Sequence, residues 1–173
     1  MGDLKIDGDV HDRDGVRNRL LKESKGREYA NRGELTNEAA EGIRADFQKR
    51  GYFQAVVQIS SSQPLGFVDG KQSISVIASI TEGDQFRLKN ISIQTSSPDQ
   101  ALSISAETLR GLFHLRDGDL FNMAELREGL ERLQDLYMNR GYARATAIPD
   151  TSIDSLSHRI ELTIRITEGP HTP

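Results

Sequence analysis

Four aspartates near the start of the chain, Asp7, Asp9, Asp12 and Asp14, have the spacing that most invites a metal-binding interpretation. A calcium loop of the EF-hand type needs oxygen ligands at its first, third and fifth positions and a glycine at the sixth. Counted from Asp7, the fifth position is His11 and the sixth is Asp12. The loop pattern fails, so we interpret the acidic cluster as a solvated turn and predict no metal site.

The histidines show no catalytic or metal-binding pattern either. No two of them are four residues apart, and none has a carboxylate at ligand spacing. They are His11, His114, His158 and His171. The chain also lacks a Gly-x-Ser-x-Gly elbow, a phosphate-binding P-loop and a dinucleotide fingerprint. With no cysteine, thiol catalysis, disulfides and cysteine-zinc sites are excluded. We therefore predict that the chain is not an enzyme and that it needs no cofactor.

Charge and hydropathy exclude two further classes of protein. The 22 basic and 26 acidic residues of the 173-residue chain are interleaved, and the net charge is −4. Because no basic stripe is present, nucleic acid is not expected as the main partner. No apolar run approaches the roughly 20 residues that span a bilayer as a helix. These features favour a globular protein that works by binding.

The chain repeats itself, and the repeat sets the positions of all its elements. A glycine–tyrosine pair and a glutamate–glycine pair each occur twice, in the same order. The pairs are Gly51-Tyr52, Glu82-Gly83, Gly141-Tyr142 and Glu168-Gly169. The glycine–tyrosine pairs are 90 positions apart and the glutamate–glycine pairs are 86 apart, so the first copy has a longer loop, around residues 60–72. We predict two domains, residues 1–85 and 86–173.

Each copy has the pattern of a β-α-α-β-β unit. In the second copy, Ser103 and Ser105 are candidate caps of a short helix, and Asn122 is a candidate cap of a long one. Gly141 is expected to end that helix in a left-handed conformation. Strict alternation from Ile160 predicts a half-buried strand. In the first copy we predict strands at 4–10, 55–60 and 73–81 and helices at 14–23 and 37–50. The fold class is α+β, with two helices on one face of a three-stranded mixed sheet.

This arrangement, with its glycine–aromatic and glutamate–glycine pairs, resembles the POTRA (polypeptide-transport-associated) domain of the surface antigen family. The resemblance covers nearly the whole chain. It implies tandem POTRA domains of a BamA-type or TamA-type outer-membrane β-barrel assembly or translocation protein, in which Glu82 and Glu168 set the turn into a neighbouring domain. It also implies unfolded outer-membrane clients or accessory subunits as partners, together with adjacent POTRA domains and a C-terminal β-barrel.

The resemblance further implies a sheet order that leaves the second strand at an edge, where an extended client could add. In the first unit this strand has no charge and no proline, so we predict it to be the better binding site. Its residues are Gln54, Ala55, Val56, Val57, Gln58, Ile59 and Ser60. In the second unit the strand carries Arg144 and is expected to end at Pro149, which blunts it. The alternative is that a neighbouring domain or loop covers the edge in the first unit.

Two other interpretations remain open at this stage. The chain could be a structural spacer, or the partner-docking arm of a two-partner secretion or division-type protein that binds no client. The first residues, Met-Gly-Asp, lack the basic stretch and apolar core of a signal peptide. Since the resemblance implies export to the periplasm, we expect the natural signal to be missing from this sequence.

Overall fold

A computed structural model describes residues 4–24, 32–61, 66–68, 71–73, 76–97 and 100–171. The chain divides into two compact units. The first comprises Met1–Phe47 with Gln54–Gly83, and the second comprises Gln48–Phe53 with Asp84–Pro173. None of the described helices is both long enough and apolar enough to cross a membrane.

The first unit has the element order predicted from the repeat. Its main elements are β1 (Leu4–Asp7), α1 (Arg13–Ser24), α2 (Arg32–Lys49), β2 (Val56–Ser61) and β5 (Val76–Thr81). The sheet order is β1-β5-β2, with β1 parallel and β2 antiparallel to the central β5. A two-stranded ribbon, β3 (Gly66–Val68) with β4 (Lys71–Ser73), is inserted between β2 and β5.

The core of the first unit follows from residue spacing. On α2, Ala40, Ile43 and Phe47 are three and four positions apart, so they share one helix face, and all three are buried. On the central strand, Ala78 and Ile80 alternate with exposed residues and are buried as well. The apolar period of the helix and that of the strand therefore both identify the inward faces.

The second unit repeats this architecture with longer strands. Its elements are β6 (Arg87–Thr95), α3 (Ala106–Arg110), α4 (Met123–Asn139), β7 (Thr146–Asp154) and β8 (Arg159–Thr167). The order is β6-β8-β7, with β6 parallel and β7 antiparallel to β8. The four alternating apolar residues of β8, Ile160 to Ile166, are completely buried against a core that includes Leu133 and Tyr137 of α4. Each unit is therefore an α+β layer built on a mixed three-stranded sheet.

Local signals in the second unit give caps at two of the three residues predicted for that role. Ser105 is the N-cap of α3, and its hydroxyl accepts a hydrogen bond from Thr108 N at 3.2 Å. The side-chain oxygen of Asn122 accepts from two main-chain N–H groups at the start of α4. After α4, Gly141 has φ 83°, the left-handed conformation that glycine adopts without steric penalty.

Several predicted boundaries were wrong, each for a local reason. α2 begins at Arg32 rather than at residue 37, because its first turn carries little of the apolar period that marked the rest. β7 does not end at Pro149: it continues to Asp154, since every residue of this strand pairs with β8. Ser73 belongs to β4 rather than to the central strand, which starts at Val76.

Candidate binding edge and the two glutamate corners

β2 lies at an edge of the first sheet. One side of the strand pairs with β5 in continuous register, from Val56 opposite Thr81 to Ser61 opposite Val76. On its other side no strand of the described residues pairs with it. The main-chain groups directed to that side are therefore a template on which an extended chain could form a further strand.

The side chains of β2 and of the two residues before it alternate between core and solvent. Val57 is 4% exposed and Ala55 is also buried, whereas Val56 is 52% exposed. Gln58 is exposed as well, and Ile59 is half-buried. No residue of the strand is charged. The accessible side chains of this edge are thus partly apolar and partly neutral and polar.

The other edge strands of the two three-stranded sheets all carry charges. On β1, Lys5 pairs with Asp7 at 3.2 Å. β6 carries Lys89, whose Nζ is 3.0 Å from a carboxylate oxygen of Glu161 on β8. β2 is therefore the one edge strand of these two sheets without the charged residues that usually protect a sheet edge.

β7 is protected in a different way from the one we predicted. Arg144 precedes the strand, and Pro149 lies within it, opposite Ile164. Because proline has no N–H, it removes one main-chain donor from this strand. Next to it, Asp150 accepts a hydrogen bond from Arg165 at 2.9 Å across the exposed face. This edge is thus both interrupted and charged.

Glu168, of the second glutamate–glycine pair, is a buried acceptor rather than a solvated turn residue. It is 8% exposed. Its Oε1 accepts three hydrogen bonds at 2.8 Å, from Ser103 N, Ser103 Oγ and Tyr137 OH. Burial, followed by the hydrogen bond to this carboxylate, raises the pKa of Tyr137, so the phenol remains a protonated donor at neutral pH. The glutamate thereby ties the end of β8 to the loop before α3 and to α4.

Glu82 has the equivalent place in the first unit and holds the equivalent loop. It is 4% exposed. Its Oε1 accepts from His11 N at 3.0 Å, and its Oε2 lies 2.7 Å from His11 Nδ1. The hydrogen bond to Glu82, and then its negative charge, raise the pKa of His11. At the helix position of Tyr137, four residues before the corner glycine, the first unit has Phe47, which has no hydroxyl to donate.

The glycine–tyrosine pairs form the corners after α2 and α4. Gly51 has φ 90°, close to the 83° of Gly141. The ring of Tyr142 lies edge-on to that of Tyr137, with centroids 5.8 Å apart. Tyr52 is half-buried. Sequence spacing located these residues and both glutamates, but it did not reveal the donors of the glutamates, because those lie 65 and 71 positions earlier in the chain.

Known structures share this architecture over the whole chain. The POTRA3-5 fragment of Haemophilus influenzae BamA superposes with a TM-score of 0.74 at 18% identity, covering 99% of this chain and 66% of that one. BamA of Haemophilus ducreyi lacking POTRA domains 1-3 gives 0.70 at 18% identity, with 96% and 29% covered. The POTRA1-2 fragment of the periplasmic domain of Omp85 from Anabaena gives 0.54 at 18%, with 98% and 95% covered. The chain thus spans about two thirds or less of the two BamA structures.

A comparison of the sequence with family models agrees with this structural likeness. Residues 87–169 match POTRA, the surface antigen variable number repeat. The matched segment runs from the start of β6 to Gly169, which is the full β-α-α-β-β unit with its glutamate–glycine corner. POTRA domains are non-catalytic scaffolds. Residues 87–169 therefore match the POTRA family model, and the chain as a whole has the fold of two tandem POTRA domains.

Proposed function

We propose that this chain is the periplasmic scaffold region of an outer-membrane protein assembly or translocation factor, and that β2 of its first unit captures extended client chains by strand addition. The observation that carries the proposal is the state of β2: an edge strand that is uncharged, free of proline and unpaired on one side within the described residues. Likeness to BamA and to the periplasmic domain of Omp85 supports the compartment.

The side chains along β2 suit clients whose sequences alternate apolar and polar residues. A strand added beside β2 would place every second side chain beside Val57 and Ile59, next to the core, and the others beside Val56 and Gln58. Strands of outer-membrane barrels have this alternation. Because the edge is neutral, it discriminates little by charge and would accept many different clients.

The expected affinity is low. Each main-chain hydrogen bond contributes a net of about 0.5–1.5 kcal/mol, while ordering each residue of an unfolded client costs roughly 1–2 kcal/mol in entropy. Burial of apolar client side chains beside Ile59 must supply the surplus. For the six residues of β2, we expect dissociation constants of about 0.1–1 mM, equivalent to roughly 4–5.5 kcal/mol. Weak, reversible capture suits a client that has to be passed on.

A backbone-amide NMR titration of the chain with peptides from outer-membrane β-strands tests this proposal. We expect shifts concentrated in residues 54–60 and saturating near millimolar peptide. Two N-methylated peptides sharpen the test, with the methyl groups on even positions in one and on odd positions in the other. Only one set of N–H groups can face β2, so one peptide should lose binding and the other should keep it.

Matched variants locate the site. Gln58→Lys adds a charge to the β2 edge, whereas Ile148→Lys adds one to the exposed face of β7, where Ile148 is 62% exposed. We expect the first variant to weaken binding and the second to leave it unchanged. Equal binding by both N-methylated peptides, or no shifts at millimolar peptide, would refute strand addition. The chain would then be better explained as a structural spacer or as a docking arm for folded partners.

A further inference from the structure

The sequence of β2 is nearly symmetric about Gln58. Two β-branched apolar residues, Val57 and Ile59, stand on either side of it. The strand runs from Val56 to Ser61, and none of its residues is charged or a proline. A second copy of the same strand, running in the opposite direction, would therefore meet residues of matching type beside Gln58 and no like charge.

The faces of the strand match in this arrangement as well. In an antiparallel pair, residues directly opposite each other direct their side chains to the same face. With a twofold axis at Gln58, Val57 of one copy lies opposite Ile59 of the other, and Val56 lies opposite Ser60. Val57 is buried and Ile59 is half-buried, whereas Val56 and Ser60 are both exposed. Each pair thus joins residues of the same face, as a continuous sheet requires.

Other registers are less favourable. A shift by one residue would set buried side chains against exposed ones. Moving the twofold axis to Val57 or to Ile59 keeps the faces matched, but it leaves only one pair of β-branched apolar residues opposite each other on the core side. The axis at Gln58 gives two such pairs, and the packing of β-branched residues across strands contributes to the stability of a sheet.

A second copy of the chain offers this edge a strand that is already formed. Its β2 is held in an extended conformation by β5, from Val56 opposite Thr81 to Ser61 opposite Val76. Ordering an unfolded chain costs conformational entropy for each residue, whereas a preformed strand has already lost that freedom. The contact also closes on itself, because a twofold interface uses the same patch on both copies and so ends at two.

We propose that two copies of this chain associate through β2, antiparallel about a twofold axis at Gln58. Their first units then share one continuous sheet in the order β1-β5-β2-β2-β5-β1. This pairing covers the edge that the proposed function assigns to clients, so a client has to displace the second copy and access to the edge is regulated. The inference rests on the same edge as the proposed function, but it requires no client.

Cysteine cross-linking of the whole chain tests this pairing, because the chain has no cysteine of its own. Gln58→Cys places two thiols opposite each other at the twofold axis, with Cβ atoms about 4.5–5.5 Å apart. A short bifunctional thiol reagent joins them, and denaturing gels measure the rate at which covalent dimer forms. The matched control is Ile148→Cys, on the exposed face of β7, where Ile148 is 62% exposed. We expect Gln58→Cys to cross-link about tenfold faster or more, since pairing holds its thiols in place.

Two further variants test the register. Val56 of one copy lies opposite Ser60 of the other, whereas the two Val56 residues are separated by four positions along the strands, about 13 Å. We therefore expect Val56→Cys and Ser60→Cys each to cross-link slowly alone, and about tenfold faster when the two are mixed. In the unmodified chain, sedimentation velocity should show a dimer that increases with concentration. Gln58→Lys should abolish this dimer by placing two like charges opposite each other.

Three results would overturn the proposal. They are cross-linking of Gln58→Cys no faster than that of Ile148→Cys, a mixture of the Val56 and Ser60 variants that reacts no faster than either alone, and undiminished association of Gln58→Lys. Client capture fails separately, in a peptide titration at concentrations where the chain is monomeric. Fast cross-linking without peptide-induced shifts in residues 54–60 would support self-pairing and refute client capture, and the opposite pair of results would refute self-pairing alone.

Discussion

Replacing Tyr137 by phenylalanine isolates one hydrogen bond of the glutamate corner in the second unit. The substitution removes only the hydroxyl that donates to Glu168 Oε1 at 2.8 Å and leaves the ring in a completely buried site. It also gives the second unit the residue type that the first unit has at this position, Phe47. The change therefore tests whether the corner depends on three donors or is satisfied by two.

The expected loss follows from the contacts. A hydrogen bond to a charged group contributes about 1.5–3 kcal/mol. Glu168 keeps Ser103 N and Ser103 Oγ as donors, so we expect a value near the lower end, about 1.5 kcal/mol. In a unit of this size, each kcal/mol moves the melting temperature by about 4–8 °C. The second unit should therefore melt about 6–12 °C lower.

Thermal unfolding followed by amide NMR separates the two units, because signals from β8 report on the second unit alone. The control is Tyr142→Phe, which removes a phenol hydroxyl that makes no hydrogen bond within the described residues and should change stability by less than about 0.5 kcal/mol. If Tyr137→Phe lowers the melting temperature no more than this control does, the third donor is dispensable and our reasoning about the corner is wrong.

Two further predictions concern other contacts of the two units. In the first unit, Glu82 raises the pKa of His11 above its ordinary value of about 6.5. The folded state therefore holds the proton more tightly, so this contribution to stability is fully present below pH of about 6.5 and is lost as pH rises through the raised pKa. The melting temperature of the first unit should fall over that range, and His11→Ala should flatten the profile; an unchanged profile in the variant would contradict this. In the second unit, a β-carbon on Gly129 would lie 2.3 Å from Phe113 Cδ1. Gly129→Ala should destabilise by about 1–3 kcal/mol through overpacking, although alanine is the better helix former by about 1 kcal/mol. Urea denaturation measures the sign, and a more stable variant would show that the ring of Phe113 moves aside freely.

The sequence predicted the order of elements because the repeat displayed each one twice. Local chemistry also predicted the caps at Ser105 and Asn122 and the corner at Gly141, since a cap depends on residues within one turn. The second half of β7 was missed because its exposed polar residues lack alternation and Pro149 imitates a strand end. Because an edge strand is paired on one side alone, its sequence needs little apolar patterning.

The glutamate corners show a different limit of sequence reasoning. Glu82 and Glu168 stood out by their repetition, and we interpreted them as turn residues. Their burial depends on donors that the fold brings from far along the chain, such as His11 and Ser103. No local rule connects such positions. The edge position of β2, in contrast, was implied by the resemblance and is confirmed by the sheet order β1-β5-β2, whereas client binding at this edge remains a prediction.

The glutamate corners also bear on the order in which the contacts of each unit can form during synthesis. Glu82 reaches back 71 positions to His11, and Glu168 reaches back 65 to Ser103. Each bond therefore joins the loop before the first helix of its unit to the residue that follows its last strand. A chain that is synthesised from its N-terminus cannot form this hydrogen bond until the last strand has been made, because contacts of long sequence separation form late. Each unit therefore gains this contact only after its final glutamate has been synthesised.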